Sequence, residues 1–143
     1  MITGPGTEPT CEARFAGYRS DELCGVPGQP DTNIWEIVVH AAYWKYVVRR
    51  RLTGDARGSF PLSGSNWFAR PADGTPAAWR ADVALLEDTH QSLRAAIARF
   101  PVARLSRRNG RTETNFSLIA GVAAHDLYHA GQIQLLKRLQ PDA

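Results

Sequence analysis

Apolar residues recur every three to four positions in three long segments of this chain, and residues that start or stop helices bracket each segment. Such spacing gathers apolar side chains on one face of an α-helix, and those faces must be buried against each other. The first segment starts near Asp31-Thr32-Asn33 and runs to about Leu52, with Ile34, Ile37, Val38, Ala41, Trp44 and Val48 on its stripe. Asn33 and Glu36 make a capping-box pair, and Gly54 follows the helix end. The second runs from Thr75 as N-cap and Pro76 as first helical residue to about Phe100, with Leu86, His90, Leu93 and Ile97 on one face and Pro101 closing it. The third begins near Thr114 and ends near Gln140, just before Pro141. No stretch alternates with period two, so the fold class is all-α.

The remaining stretches are connections and one weaker segment. Residues 53–74 are rich in Gly, Ser and Pro and long for a structureless loop, a length that often accompanies function. Within it, Asn66-Trp67-Phe68 carries aromatics too costly to leave wholly in water, which predicts that it folds back over the helices. Residues 101–113 are polar and read as a short hairpin or plain loop. Toward the N-terminus Cys11, Phe15, Tyr18 and Glu22 share helical spacing, so a short helix between about Glu8 and Cys24 is expected as the fourth partner of a bundle. At 143 residues the whole chain, 1–143, reads as one domain with a poorly patterned segment at 1–30.

Charge and cysteine usage narrow the function classes. The formal charge of +3 is mild and the arginines are scattered; Arg49, Arg50 and Arg51 favour a helix C-terminus, and Arg107, Arg108 and Arg111 fall in a loop. A nucleic-acid binder would gather such charge into a stripe with aromatics, so no nucleic-acid partner is expected. Cys11 and Cys24 form no metal or redox motif. No apolar run reaches membrane-spanning length, and no basic segment followed by an apolar one opens the sequence, which gives the expectation of a cytoplasmic protein without membrane contact.

The chain has four histidines, and three of them suggest chemistry. His125 and His129 are four residues apart in the third helix, one above the other on one face, where two imidazoles can bind one transition metal. His40 lies mid-helix in the first segment, on the side of Ile37 and Trp44; alone it would read as a satisfied core histidine. Helix bundles build metal sites from side chains on facing helices, and three histidines from two helices leave positions open for water or substrate. His90 belongs to a core stripe, with a substrate-facing role as the alternative to packing. Gln132, three residues beyond His129, is placed either to orient that ligand or to make an ordinary helix-face hydrogen bond. Gly131 is unfavourable inside a helix, which leads us to expect close approach of another helix there. Asp126 points away from the histidine pair and reads as a surface or inter-helix partner.

The pair is not His-Glu-x-x-His: no glutamate stands between the histidines as a general base, which excludes the zincin protease pattern. A nucleophile elbow, a P-loop and a dinucleotide fingerprint are also absent from the sequence. With its Asn33-Ile-Trp-Glu-Ile-Val-Val-His40-Ala-Ala-Tyr-Trp44 stretch, its Trp67 loop and its closing His125-Asp-Leu-Tyr-His129-Ala-Gly-Gln-Ile133, the chain resembles the DinB family of DinB/YfiT-like metalloenzymes over roughly residues 31–140.

That resemblance implies an up-down-down-up four-helix bundle, often a homodimer, with a divalent metal on His40, His125 and His129. The departure is at Met1–Gln29, where a shortened or weak first helix replaces the family's long amphipathic one. Characterised relatives include thiol-dependent transferases and isomerases that use mycothiol, bacillithiol or glutathione. The expectation is therefore a metal-dependent S-transferase, isomerase or hydrolase acting on a small-molecule substrate. A low-molecular-weight thiol would be its co-substrate, with Gln132, Trp67 and His90 as further contacts. Zinc, nickel, iron, manganese and copper all suit such a donor set. The competing expectation is a non-catalytic metal-binding or stress-response module, whose ion a fourth protein ligand would close off.

Overall fold

The computed structural model describes residues 33–70 and 74–139. The expected N-terminal helix, both cysteines and Pro141 lie outside those residues. Within them the chain forms three α-helices, α1 (Ile34–Thr53), α2 (Pro76–Ala98) and α3 (Asn115–Leu139), with a 3-10 turn at Val102–Arg104. Among the described residues there is no strand, only an isolated antiparallel bridge between Arg108 and Thr114. No described helix is long and apolar enough to cross a membrane.

The helix ends follow from the residues read as caps. The Asn33 side chain accepts from the Glu36 amide at 2.8 Å, and the Glu36 carboxylate accepts from the Asn33 amide at 3.2 Å, closing a reciprocal pair at the start of α1. Gly54 ends α1 in the left-handed region, φ 80°, its amide bonded to the Arg50 carbonyl. Thr75 caps α2, accepting from the Ala78 amide, with Pro76 in the first turn. At the start of α3 the Thr114 amide donates to Ser117 Oγ at 2.8 Å and the Ser117 amide donates to Thr114 Oγ1 at 3.1 Å. Replacing Asn33 with alanine removes one cap acceptor and should cost about 1 kcal/mol of stability, read as a lowered midpoint in urea unfolding.

Two apolar clusters fix the helix directions. Ile34, Trp35 and Val38 of α1 pack with Trp79 and Leu86 of α2 and with Ile133 and Leu136 of α3. At the other end Val48 and Leu52 meet Leu93 and Ile97 of α2 and Leu118 and Val122 of α3. Residue numbers therefore rise together along α1 and α2 and in opposite senses along α1 and α3. Parallel neighbours cannot be joined by a tight turn, so the chain must return the whole length of α1, about 30 Å for its 20 residues. The long 54–75 connection is this return, and Phe68 anchors it, buried against Val39 and Tyr43. The three helices thus have the down-down-up order of the last three members of the expected bundle.

The 101–113 stretch closes as a tight turn rather than a plain loop. The Asn109 amide bonds to the Glu113 carbonyl, and Gly110 takes φ 96° at its tip. Arg51 pins this turn to the end of α1, donating to the Asn109 carbonyl at 2.6 Å and pairing with Glu113 at 2.6 Å. At Gly131 nothing among the described residues lies within 4 Å of where its Cβ would stand, and the expected N-terminal helix lies outside those residues.

Candidate metal centre

His40 projects from the middle of α1 toward α3, where the one-turn step between His125 and His129 stacks two imidazoles opposite it. His40 and His129 are buried and His125 is half-buried. One ligand atom from each of the three falls within a sphere of mutual distances no greater than 4.8 Å. His125 Nε2 lies 3.0 Å from His40 Nε2 and 3.0 Å from His129 Nε2.

The outer nitrogens decide which way the inner ones face. His40 Nδ1 is 2.7 Å from the Asn66 carbonyl oxygen, which can only accept, so Nδ1 carries the proton and Nε2 presents a lone pair. His129 Nδ1 is 2.6 Å from Gln132 Oε1, an acceptor, which gives the same tautomer, and the Gln132 amide nitrogen donates onward to the Tyr128 hydroxyl at 3.1 Å. Two lone pairs therefore converge on His125 Nε2, which has one proton at most to offer. His125 Nδ1 is buried without a hydrogen-bond partner among the described residues. Whichever tautomer His125 adopts, a nitrogen is left uncompensated.

Three imidazole nitrogens turned inward, two of them backed by outer N–H groups held by oxygen acceptors, are the chemistry of a histidine-bound divalent ion. Nitrogens bound at about 2.1 Å to a tetrahedral ion stand roughly 3.4 Å apart; here His125 Nε2 is 3.0 Å from each of the other two, and the three ligand atoms lie within 4.8 Å of one another. The residues present fit such an ion. Burial, together with repulsion from His129 and His40, holds His125 down at about 4 against an ordinary 6.5. His40 is also lowered, by burial first, against the Asn66 hydrogen bond that raises it. Low values keep imidazoles neutral, the form that binds metal.

The 66–68 segment covers the centre as its aromatic composition suggests. Trp67 stacks on His40 with ring centroids 3.7 Å apart and planes 7° from parallel. Asn66, which sequence reasoning missed, serves twice: its carbonyl receives His40, and its side chain accepts from Trp44 Nε1 at 2.9 Å. Its φ of 67° is a left-handed conformation that asparagine tolerates better than most residues. The only sequence signal was an asparagine at the end of a Gly- and Ser-rich run. Gln132 Oε1 accepts a hydrogen bond from His129 Nδ1 at 2.6 Å. Substituting Gln132 by leucine should weaken metal binding about tenfold or more without unfolding the helix, measured by competition with a chromophoric chelator.

His90 does not join the three histidines. It is half-buried and lines a cavity of about 290 Å³ whose other wall includes His129 and the Lys45–Asp126 ion pair. Asp126 is thus an inter-helix partner, and the buried Lys45 is its counter-ion. A second cavity, of about 210 Å³, reaches His125 between Trp44, Val48, Gly121 and Val122.

The sequence model of the DinB superfamily matches residues 8–133, which takes in most of the N-terminal segment whose pattern is weak as well as all three histidines. Searches of the curated proteins and of the solved structures found no match.

Proposed function

Because this chain belongs to the DinB superfamily and brings three imidazoles to one point, we propose that it is a metal-dependent enzyme of the thiol S-transferase, isomerase or hydrolase type, with His40, His125 and His129 as ligands. The observation that carries this reading is the convergence of Nε2 atoms 3.0 Å apart, with the outer nitrogens of His40 and His129 held by Asn66 and Gln132. A divalent ion held there supplies Lewis acidity that lowers the pKa of a thiol or water toward neutrality.

The chain's own residues do the rest. Asn66 and Gln132 hold two ligands in their tautomers. Trp67 shields His40 from water. The apolar cavity at His125 suits the hydrophobic part of a small-molecule substrate, and His90 lines the neighbouring cavity as a further contact. A closed structural ion would need a fourth protein ligand; among the described residues no carboxylate or fourth histidine joins the cluster, and both cysteines lie outside those residues. A homodimer in the cytoplasm belongs to the same proposal.

The test is cobalt substitution followed by addition of glutathione, cysteine or azide. An open site changes its visible absorption with at least one of them, and a screen of the same thiols with electrophilic acceptors then looks for turnover. A spectrum indifferent to every thiol and anion would replace the enzyme reading with that of a non-catalytic metal-binding module.

A further inference from the structure

Beyond the histidines, a cleft of about 920 Å³ opens between the C-terminal half of α1 and the 57–65 loop. Its size is that of a small-molecule site. Tyr43, Trp44 and Phe60 form an aromatic wall, Tyr43 and Phe60 meeting edge to face with centroids 5.3 Å apart. Three guanidinium groups, Arg50, Arg51 and Arg57, face the same space, and no acidic residue lines it.

The three arginines differ in what they already bind. Arg51 is taken up by Glu113 and the Asn109 carbonyl. Arg50 makes only a 3.4 Å contact with the Asp55 carbonyl, since the Asp55 carboxylate is held by Arg49 at 2.6 Å. Arg57 is exposed and has no ion pair or hydrogen bond among the described residues. The unpaired Arg57 guanidinium, with Arg50 only partly offset by the nearby Asp55, focuses positive potential beside an apolar wall. Each offers a planar fork that matches a carboxylate or a phosphate.

We propose that this cleft is a binding site for a small organic anion, its carboxylate or phosphate between Arg50 and Arg57 and its apolar body against Tyr43, Trp44 and Phe60. The site needs no metal, so it stands whether or not the histidine centre is catalytic.

The test is isothermal titration of the full chain, stripped of metal with a chelator, with 2-naphthoate, 2-naphthyl phosphate and neutral 2-naphthamide. At least one anion should bind about tenfold or more tightly than the amide, with affinity falling as salt is raised. Arg57→Gln, on an exposed loop position where folding is not at stake, should weaken that anion severalfold. Arg50→Gln should do the same, and His125→Ala should leave it unchanged. Binding of the amide as tight as that of both anions would overturn the proposal. So would undiminished anion binding in both arginine variants, or anion binding lost with His125.

Discussion

Zinc added at a hundred times its dissociation constant should stabilise this protein by about 2.7 kcal/mol, a rise in melting temperature of roughly 5–10 °C for a chain of this size, and His125→Ala should abolish the shift. The reason is that folding alone assembles the three imidazoles, so the ion binds the native state and not the unfolded chain. Without an ion the same arrangement is a liability. His125 has its folded-state value at about 4 rather than 6.5, so between those pH values the unfolded chain binds more protons than the native one. The stability of the metal-free protein is therefore whole above pH 6.5 and declines as pH falls toward about 4. Metal-free His125→Ala lacks this group and should show a flatter melting temperature across that window. Equal slopes for the two proteins, or a zinc shift that survives in His125→Ala, would mean that these imidazoles do not act as a unit.

Much of this centre was legible because helical geometry is local. A four-residue step fixes His125 over His129, and the caps at Asn33, Thr75 and Gly54 are decided by neighbours within one turn. What the sequence left open is what only tertiary structure decides. The long 53–74 connection reads as functional by its length, and its physical cause is the parallel run of α1 and α2, which no local pattern states. Asn66 holds His40 through a backbone carbonyl, a group every residue carries, so its identity gave little away. No sequence pattern singles out Lys45, yet it is buried against Asp126 because α3 packs on α1 there. The expected close approach of another helix at Gly131 meets no partner among the described residues, which leave out the expected N-terminal helix.

Replacing Asp82 with alanine should cost about 3 kcal/mol and should also weaken metal binding at a centre it does not touch. Asp82 of α2 accepts from Trp35 Nε1 of α1 at 2.6 Å and from Arg70 Nη2, at the far end of the return loop, at 3.3 Å; Arg70 Nε stands 2.8 Å from the same carboxylate. Alanine strands a buried indole N–H and a largely buried guanidinium together, which is why the loss exceeds that of one ordinary hydrogen bond. Asparagine keeps an acceptor for Trp35 and should cost about half as much. The effect on metal follows from the chain path. Arg70 is clamped by Asp82 and, through its amide, by Glu36 at 3.1 Å, and that clamp fixes the four residues leading back to Asn66. Once it is released, the Asn66 carbonyl is no longer held against His40 nor Trp67 against its ring, and about tenfold in affinity should go with them. Urea unfolding reads the first loss and chelator competition the second. A destabilised Asp82→Ala protein with wild-type metal affinity would show that the packing of Phe68 alone holds the loop over the histidines.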